Sequence, residues 1–204
     1  MKFYLSSYKF GLEKDKIKGM MPKNNYTIGL IPNALDFTGA DPIRRKNSIK
    51  EGLEDLNSLG LKAELLDLKD YFGKNELLKK KLDQLGGVWV RGGNTFVLRQ
   101  AMALSGFDKL IKNIKDDFFY GGYSAGICVL APDLSGLQIV DDATDIPYGG
   151  KVILEGLGIL DYVILPHYKS DHPEAADIDR EVAYCKDNNI KFKTLRDGEV
   201  IIIQ

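Results

Sequence analysis

The chain has 204 residues and an almost balanced charge, with 28 Lys and Arg against 29 Asp and Glu. This balance, with no basic stripe, argues against a nucleic-acid-binding protein, and the ordinary composition (44% hydrophobic, 21 Gly, 7 Pro) excludes collagen-like and disordered classes. Because no apolar run reaches membrane-spanning length and no leader-like segment follows Met1, we expect a soluble, cytoplasmic protein. The two cysteines, Cys128 and Cys185, lack CxxC spacing and indicate a reduced compartment without a disulfide framework or metal motif.

In chain order, short apolar runs alternate with helical patterns. The patterns predict strands at Lys2–Ser6, Tyr26–Ile31, Leu61–Leu68, Gly87–Val90, Phe118–Gly122, Leu137–Val140, Lys151–Leu154, Tyr162–Leu165, Phe192–Leu195 and Val200–Ile203. Helices are predicted from Asp41-Pro42 to about Leu59, at Asn75–Leu85, Thr95–Leu104, Phe107–Lys115 and Ser124–Leu130, and at Glu174–Asn188. The alternation predicts one α/β domain over residues 1–204, with a mostly parallel sheet sandwiched by helices. The last two strands flank Arg196-Asp197-Gly198, which is typical of a hairpin turn.

The motif that carries most chemistry is G-x-S-x-G at Gly122, Ser124 and Gly126, between an apolar strand and a helix. In this context the serine occupies a sharp, strained turn that pushes its hydroxyl into a cleft, and its small neighbours allow close approach. The amide of Ala125, at the start of the helix, is a natural oxyanion donor. The pattern also occurs by chance as a plain glycine-rich turn, but its position between strand and helix favours a nucleophilic serine.

A second glycine turn, Gly92-Gly93-Asn94, also follows a strand and precedes a helix. Because both strands are expected to be parallel, this turn should reach the same sheet edge as the serine. Its Gly93 amide could then serve as the second oxyanion donor, with Gly92 and Asn94 contacting substrate. The alternative is an ordinary helix cap, with Asn94 or Thr95 as the capping residue.

A serine nucleophile needs a base, and only two histidines are present, His167 and His172. His167 directly follows an apolar strand, whereas His172 lies in a polar stretch just before a helix, so we favour His167. Cys128 lies one helical turn beyond Ser124 and is better explained as a buried structural thiol.

The carboxylate that would orient the histidine is left open by the pattern. A run of aspartates usually belongs to a solvated loop, so at most one of the candidates should be buried. The four candidates are Asp133, Asp141, Asp142 and Asp145.

Taken together, these stretches resemble peptidase E, a family of aspartyl dipeptidases. The resemblance rests on Phe3–Ser6, Gly29–Ala34, Val90–Phe96, Gly122–Gly126 and Pro166-His167, and extends over nearly the whole chain. It implies the flavodoxin-like fold that the family shares with class I glutamine amidotransferases. Those enzymes carry a cysteine at the strand-to-helix turn where this chain has Ser124.

The resemblance implies a Ser, Asp and His charge relay, with the serine at Ser124 and the histidine at His167. The family's aspartate precedes a hydrophobic-proline pair, which Asp145-Ile146-Pro147 matches best. It further implies hydrolysis of dipeptides with N-terminal Asp, without a metal or cofactor. Arg180 roughly matches a family arginine proposed to hold the acidic side chain, although it could equally be a surface residue paired with a nearby carboxylate.

The sequence leaves three alternative functions to compare with this one. A related serine hydrolase, cyanophycinase-like or acting on another amide, would share the same motifs and differ in its substrate loops. A non-enzymatic binding protein is disfavoured by the intact serine, histidine and glycine turn, and a cofactor-binding flavodoxin-like protein by the missing G-x-G-x-x-G and P-loop patterns. The expected partner is a small peptide substrate, and a homodimer is compatible with the sequence.

Overall fold

The computed structural model describes residues 1–204 and contains a six-stranded sheet in the order β3-β2-β4-β5-β1-β8, together with a two-stranded sheet β6-β7. The strands are β1 (Lys2–Ser6), β2 (Thr27–Ile31), β3 (Lys62–Leu65), β4 (Gly87–Val90), β5 (Phe119–Tyr123), β6 (Val163–Leu165), β7 (Phe192–Thr194) and β8 (Val200–Ile203). The helices are α1 (Ile17–Met20), α2 (Pro42–Ser58), α3 (Asn75–Gln84), α4 (Thr95–Ser105), α5 (Phe107–Leu110), α6 (Ala125–Cys128) and α7 (Ala175–Asp187).

Five strands of the large sheet run parallel, and β8 joins the β1 edge antiparallel. The predicted α/β fold with a mostly parallel, helix-covered sheet is confirmed. Because the chain passes from β2 to β3 in one direction along the sheet and from β4 to β5 in the other, its winding direction reverses between the adjacent strands β2 and β4. In such sheets the crevice beyond the carboxyl ends of the strands at this reversal is the usual ligand site.

The two faces of the sheet carry separate apolar layers because side chains alternate along a strand. Tyr4 and Trp89 face one layer, whereas their neighbours Leu5 and Val90 face the other, and all four are nearly inaccessible. Gly121 leaves room for the indole of Trp89, since a Cβ there would lie 2.3 Å from Trp89 Cε3. No helix in the chain is both long and apolar enough to cross a membrane.

Three predictions about the later chain are wrong. Residues Leu137–Ile139 form a single 3-10 turn, and 151–154 lie in irregular chain beside one isolated bridge, Asp133 to Glu155. Leu137 is buried in the core, whereas Val152 and Leu154 are exposed.

The expected final hairpin does not form either. β7 pairs parallel with β6, whereas β8 pairs antiparallel with β1, so the turn at 195–199 crosses from the small sheet to the large one. The crossing is held on both sides, by Leu195 N–H donating to Leu165 O (2.9 Å) and Ser7 N–H donating to Glu199 O (3.1 Å).

Candidate active site

Ser124 stands at the sharp turn between β5 and α6. Its backbone has φ 49° and ψ −123°, a combination that an L-residue adopts only under strain, and its side chain makes no capping bond to α6. The turn is possible because the residues two positions before and after Ser124 are glycines. A Cβ on Gly126, for example, would lie 2.3 Å from Val90 O. Ser124 therefore has the backbone conformation expected for a nucleophile elbow, with its hydroxyl free to face a cavity of about 440 Å³.

The glycine turn after β4 lies directly against this serine. A Cβ on Gly92 would approach Ser124 Cβ to 2.8 Å, and a Cβ on Gly93, whose φ is 141°, would lie 2.2 Å from Ala34 O. Both residues line the cavity. Because neither position has room for a side chain, the turn brings its backbone close to the serine hydroxyl, as a two-amide oxyanion hole with Ala125 would require.

Asn94 has a structural task at this turn. Its Oδ1 accepts hydrogen bonds from Phe96 N (2.8 Å) and Val97 N (3.1 Å), and its Nδ2 donates to Asp142 O (2.9 Å). The side chain therefore serves as the N-cap of α4, but its second Nδ2–H is not used and Asn94 lines the cavity, so the substrate contact expected from the sequence stays a prediction.

His167 follows β6 and points into the same cavity as Ser124. The Nδ1 atom of its imidazole lies 2.7 Å from Asp197 Oδ1. Its backbone lies at φ 59°, and its N–H donates to Ser7 Oγ (2.8 Å). The ring is thus fixed by a carboxylate on one nitrogen, which leaves Nε2 toward the cavity.

Burial lowers the pKa of His167 below its usual value, and the neighbouring His172 acts in the same direction, against the raising effect of Asp197. The imidazole is therefore neutral near pH 7 and able to accept a proton.

Asp197 was not among the carboxylates that the sequence suggested. It lies in the crossing turn after β7, where Ser7 Oγ donates to its Oδ1 (2.8 Å) and its own N–H donates to Ser170 Oγ (2.8 Å). Since β6 and β7 are adjacent and parallel, their carboxyl ends bring His167 and Asp197 together.

Asp145 does not contact His167. Its two carboxylate oxygens accept hydrogen bonds from Thr38 N (2.8 Å) and Thr38 Oγ1 (2.6 Å). The other three candidates are likewise engaged with nearby backbone amides, those of Ser135, Thr95 and Thr144, and not with the histidine: Asp133, Asp141 and Asp142.

Arg180 also differs from the expectation. It lies on the exposed surface of α7, outside the cavity, and pairs with Asp177 at 2.8 Å. Two arginines of α2 line the cavity instead. Arg45 is held by Asp36 and Asp67, whereas the exposed Arg44 makes no ion pair. The cation available to a ligand is therefore Arg44, in the first turn of α2, a helix for which the sequence pattern indicates no functional role.

An acidic wall lies beside Ser124, formed by Asp141, Glu174 and Glu181, and the first two of these also line the main cavity. These carboxyl groups line a small side cavity of about 20 Å³, room for roughly one water molecule, that also touches Ser124. Burial raises the pKa of Asp141 to about 6. Burial, with repulsion from Asp141 and Glu174, raises that of Glu181 to about 9. Glu181 is therefore neutral at pH 7 and Asp141 is charged.

Comparison with known proteins places these features in a family. The model of peptidase family S51 matches residues 6–204. An uncharacterized peptidase of Listeria monocytogenes is 32% identical over 124 residues, which cover 60% of this chain and 58% of the relative. Peptidase E of Streptomyces coelicolor is 28% identical over 130 residues, covering 61% of this chain and 51% of the relative. These matches thus span little more than half the length of the curated relatives.

Solved structures show the same fold. The crystal structure of a peptidase E candidate from Listeria monocytogenes superposes with a TM-score of 0.70 at 24% identity, covering 100% of this chain and 98% of that one. A peptidase from an acI-B1 Actinobacterium gives a TM-score of 0.73 at 13% identity, covering 100% and 83%. With a family model that extends from Ser6 to the last residue, the chain belongs to peptidase family S51.

Proposed function

We propose that this protein is a serine peptidase in which Ser124 is the nucleophile, His167 the base and Asp197 the residue that orients the base. The observation that carries the proposal is the 2.7 Å contact between His167 Nδ1 and Asp197 Oδ1 beside the cavity that Ser124 lines. A carboxylate on one imidazole nitrogen fixes the tautomer and leaves the other nitrogen as a base, which is what serine hydrolysis needs.

In this mechanism Nδ1–H donates to Asp197 and the free Nε2 takes the proton of Ser124 as Oγ attacks the peptide carbonyl. The amides of Ala125 and Gly93 hold the oxyanion. His167 then gives its proton to the leaving amine, and water attacks the acyl-enzyme with His167 again as the base. No Ser124–His167 hydrogen bond exists in the free protein, which is common before substrate binds.

The state of His167 predicts an acid limb in the pH profile. The base works only when neutral, and its pKa lies below the usual 6.5 for histidine. We therefore expect kcat/KM to be fully developed at pH 7 and to fall as the pH drops through a midpoint below 6.5. The measurement is kcat/KM between pH 4.5 and 8.5. A midpoint above 7 would mean that a different group limits the reaction.

For the substrate, we infer a dipeptide with N-terminal Asp. A cavity of about 440 Å³ suits a ligand of that size. Arg44 offers an unpaired cation for the aspartyl carboxylate, and Asp141 and Glu174 of the acidic wall offer carboxylates for the free α-ammonium group. An ammonium group held within that wall would place the adjacent carbonyl near Ser124 Oγ, because only two covalent bonds separate them.

The role of Arg44 predicts a selective loss in binding. Replacing Arg44 by Leu removes a charge-assisted contact at an exposed position, so we expect KM for Asp-p-nitroanilide to rise about tenfold with little change for Ala-p-nitroanilide. Arg180→Ala is the matched control, since that exposed arginine lies outside the cavity, and it should leave both substrates unchanged. Equal losses on both substrates in Arg44→Leu would contradict the assignment.

The experiment that tests the function compares four substrates with wild-type protein: Asp-, Asn- and Ala-p-nitroanilide, and N-acetyl-Asp-p-nitroanilide. The proposal predicts preference for the free Asp compound and poor turnover of its acetylated form. If none is cleaved while a fluorophosphonate still labels Ser124, the serine hydrolase assignment survives. The substrate is then another amide, as in a cyanophycinase-like enzyme.

A further inference from the structure

A second chemical feature lies over the base, in a cluster of two histidines and a glutamate. The rings of His167 and His172 stack with centroids 3.8 Å apart and planes inclined by 10°. Glu174 Oε2 lies 3.8 Å from His172 Nδ1, and one ligand atom from each of the three residues falls within 4.8 Å of the others. Neither His172 nor Glu174 is needed for the proton transfers of the proposed relay.

We propose that His167, His172 and Glu174 form a transition-metal site, with Zn²⁺ as its natural ion, that reversibly blocks the base. Two imidazoles and one carboxylate are a ligand set that zinc binds, and a fourth position would remain open to the cavity.

Geometry supports this assignment. Ligand atoms about 2.0–2.1 Å from one tetrahedral ion lie roughly 3.3 Å apart, so the three side chains need to close by about 1.5 Å or less. His172 and Glu174 are only partly buried and precede α7, so their side chains have room to turn. His167 can keep its position, because Asp197 already fixes its Nδ1 as a donor and leaves Nε2 for the metal. His172 must rotate out of the stack, because two parallel imidazoles cannot both direct their nitrogen lone pairs at one ion. A carboxylate behind a metal-binding histidine is the usual second partner of such a ligand.

The consequence for activity rests on the proposed function. A metal on Nε2 of His167 occupies the lone pair that must accept the proton of Ser124, so the bound ion would switch the hydrolase off until it is chelated. Mg²⁺, which prefers oxygen ligands, should not have this effect.

The test measures Zn²⁺ binding directly by isothermal titration calorimetry of the full chain, in wild type, Glu174→Gln, His172→Ala and Asp171→Asn. Only two histidines exist, and both cysteines are buried, which limits other soft-ligand sites. We expect one Zn²⁺ per wild-type chain. The affinity should fall at least about tenfold in the Glu174 and His172 variants, but stay unchanged in Asp171→Asn, an exposed neighbour outside the cluster.

Fluorophosphonate labelling of Ser124 in the wild type should be suppressed by the same Zn²⁺ concentration, spared by Mg²⁺ and restored by EDTA. Thermal melting in metal-free buffer identifies any variant that fails to fold. If His172→Ala fails to fold, Glu174→Gln still tests the site, because glutamine keeps the shape of the glutamate side chain. Two results would overturn the proposal. One is equal Zn²⁺ affinity in wild type and Glu174→Gln; the other is no binding to wild type at about 1 mM Zn²⁺, the dissociation constant of a very weak site. Neither result depends on peptide hydrolysis, so both are distinct from failure of the proposed function.

Discussion

Replacing Ser124 by alanine is expected to lower kcat for Asp-p-nitroanilide by roughly 10⁴- to 10⁶-fold. Without the hydroxyl no acyl-enzyme forms, and the remaining rate comes only from substrate binding and oxyanion stabilisation. The change removes one oxygen from a partly exposed side chain that makes no capping bond, so stability should be nearly unchanged. Steady-state kinetics of the purified variant, with a thermal melt, provide the measurement.

The matched control for this change is Ser58→Ala, at the exposed end of α2. It should keep wild-type kcat and KM. A Ser124→Ala protein that still hydrolyses the substrate at more than a few percent of the wild-type rate would show that another group attacks the carbonyl.

Replacing Asp197 by asparagine is expected to lower kcat by about 10²- to 10⁴-fold with the fold intact. The neutral amide cannot stabilise the imidazolium that forms during the reaction, and it can hold the ring in the wrong tautomer. Because the carboxylate of Asp197 raises the pKa of His167 against the effect of burial, its loss should also move the acid limb of kcat/KM to lower pH. A purely structural role for Asp197 would lower the amount of active protein without moving that limb.

The variant Asp145→Asn distinguishes between Asp145 and Asp197 as the carboxylate that orients His167. Its carboxylate is bound to Thr38 and does not touch the histidine, so this variant should retain kcat within a few-fold and keep the wild-type pH profile. If Asp145→Asn were inactive and Asp197→Asn active, the orienting carboxylate would be the one that the resemblance suggested.

The position of Ser124 in the site could be predicted from sequence because it is determined by neighbouring residues along the chain. The strand, the turn and the helix that hold Ser124 are contiguous, and Gly126 is required because a Cβ there would lie 2.3 Å from Val90 O. The position of His167 beyond an apolar strand was equally readable, since parallel strands end at one edge of a sheet. Both residues line the cavity, as expected.

Asp197 could not be recognised because its place depends on pairing between distant segments. Asp-Gly between two apolar strands is a strong hairpin signal, and nothing local reveals that β7 adds to β6 while β8 joins β1. One signal was present: His167 comes two residues after the end of β6 and Asp197 three residues after the end of β7. If the two strands had been taken as parallel neighbours, the two side chains would have been expected to meet.

Arg44 was missed for a similar reason. The helix-start pattern at Asp41-Pro42 correctly predicted α2, whose N-cap is Asp41. Which side of the first turn faces the cavity is set by how the helix packs on the sheet, and the sequence of an amphipathic helix does not specify what lies beyond its polar face.

The central claim, that Ser124 is a nucleophile activated by His167 and Asp197, is tested most directly by fluorophosphonate labelling followed by mass spectrometry of the intact and digested protein. The account predicts one adduct per chain, located on Ser124, formed at pH 7 by wild type and by Asp145→Asn, and strongly slowed in Asp197→Asn. Absence of an adduct on wild type, or an adduct on a serine other than Ser124, would contradict it.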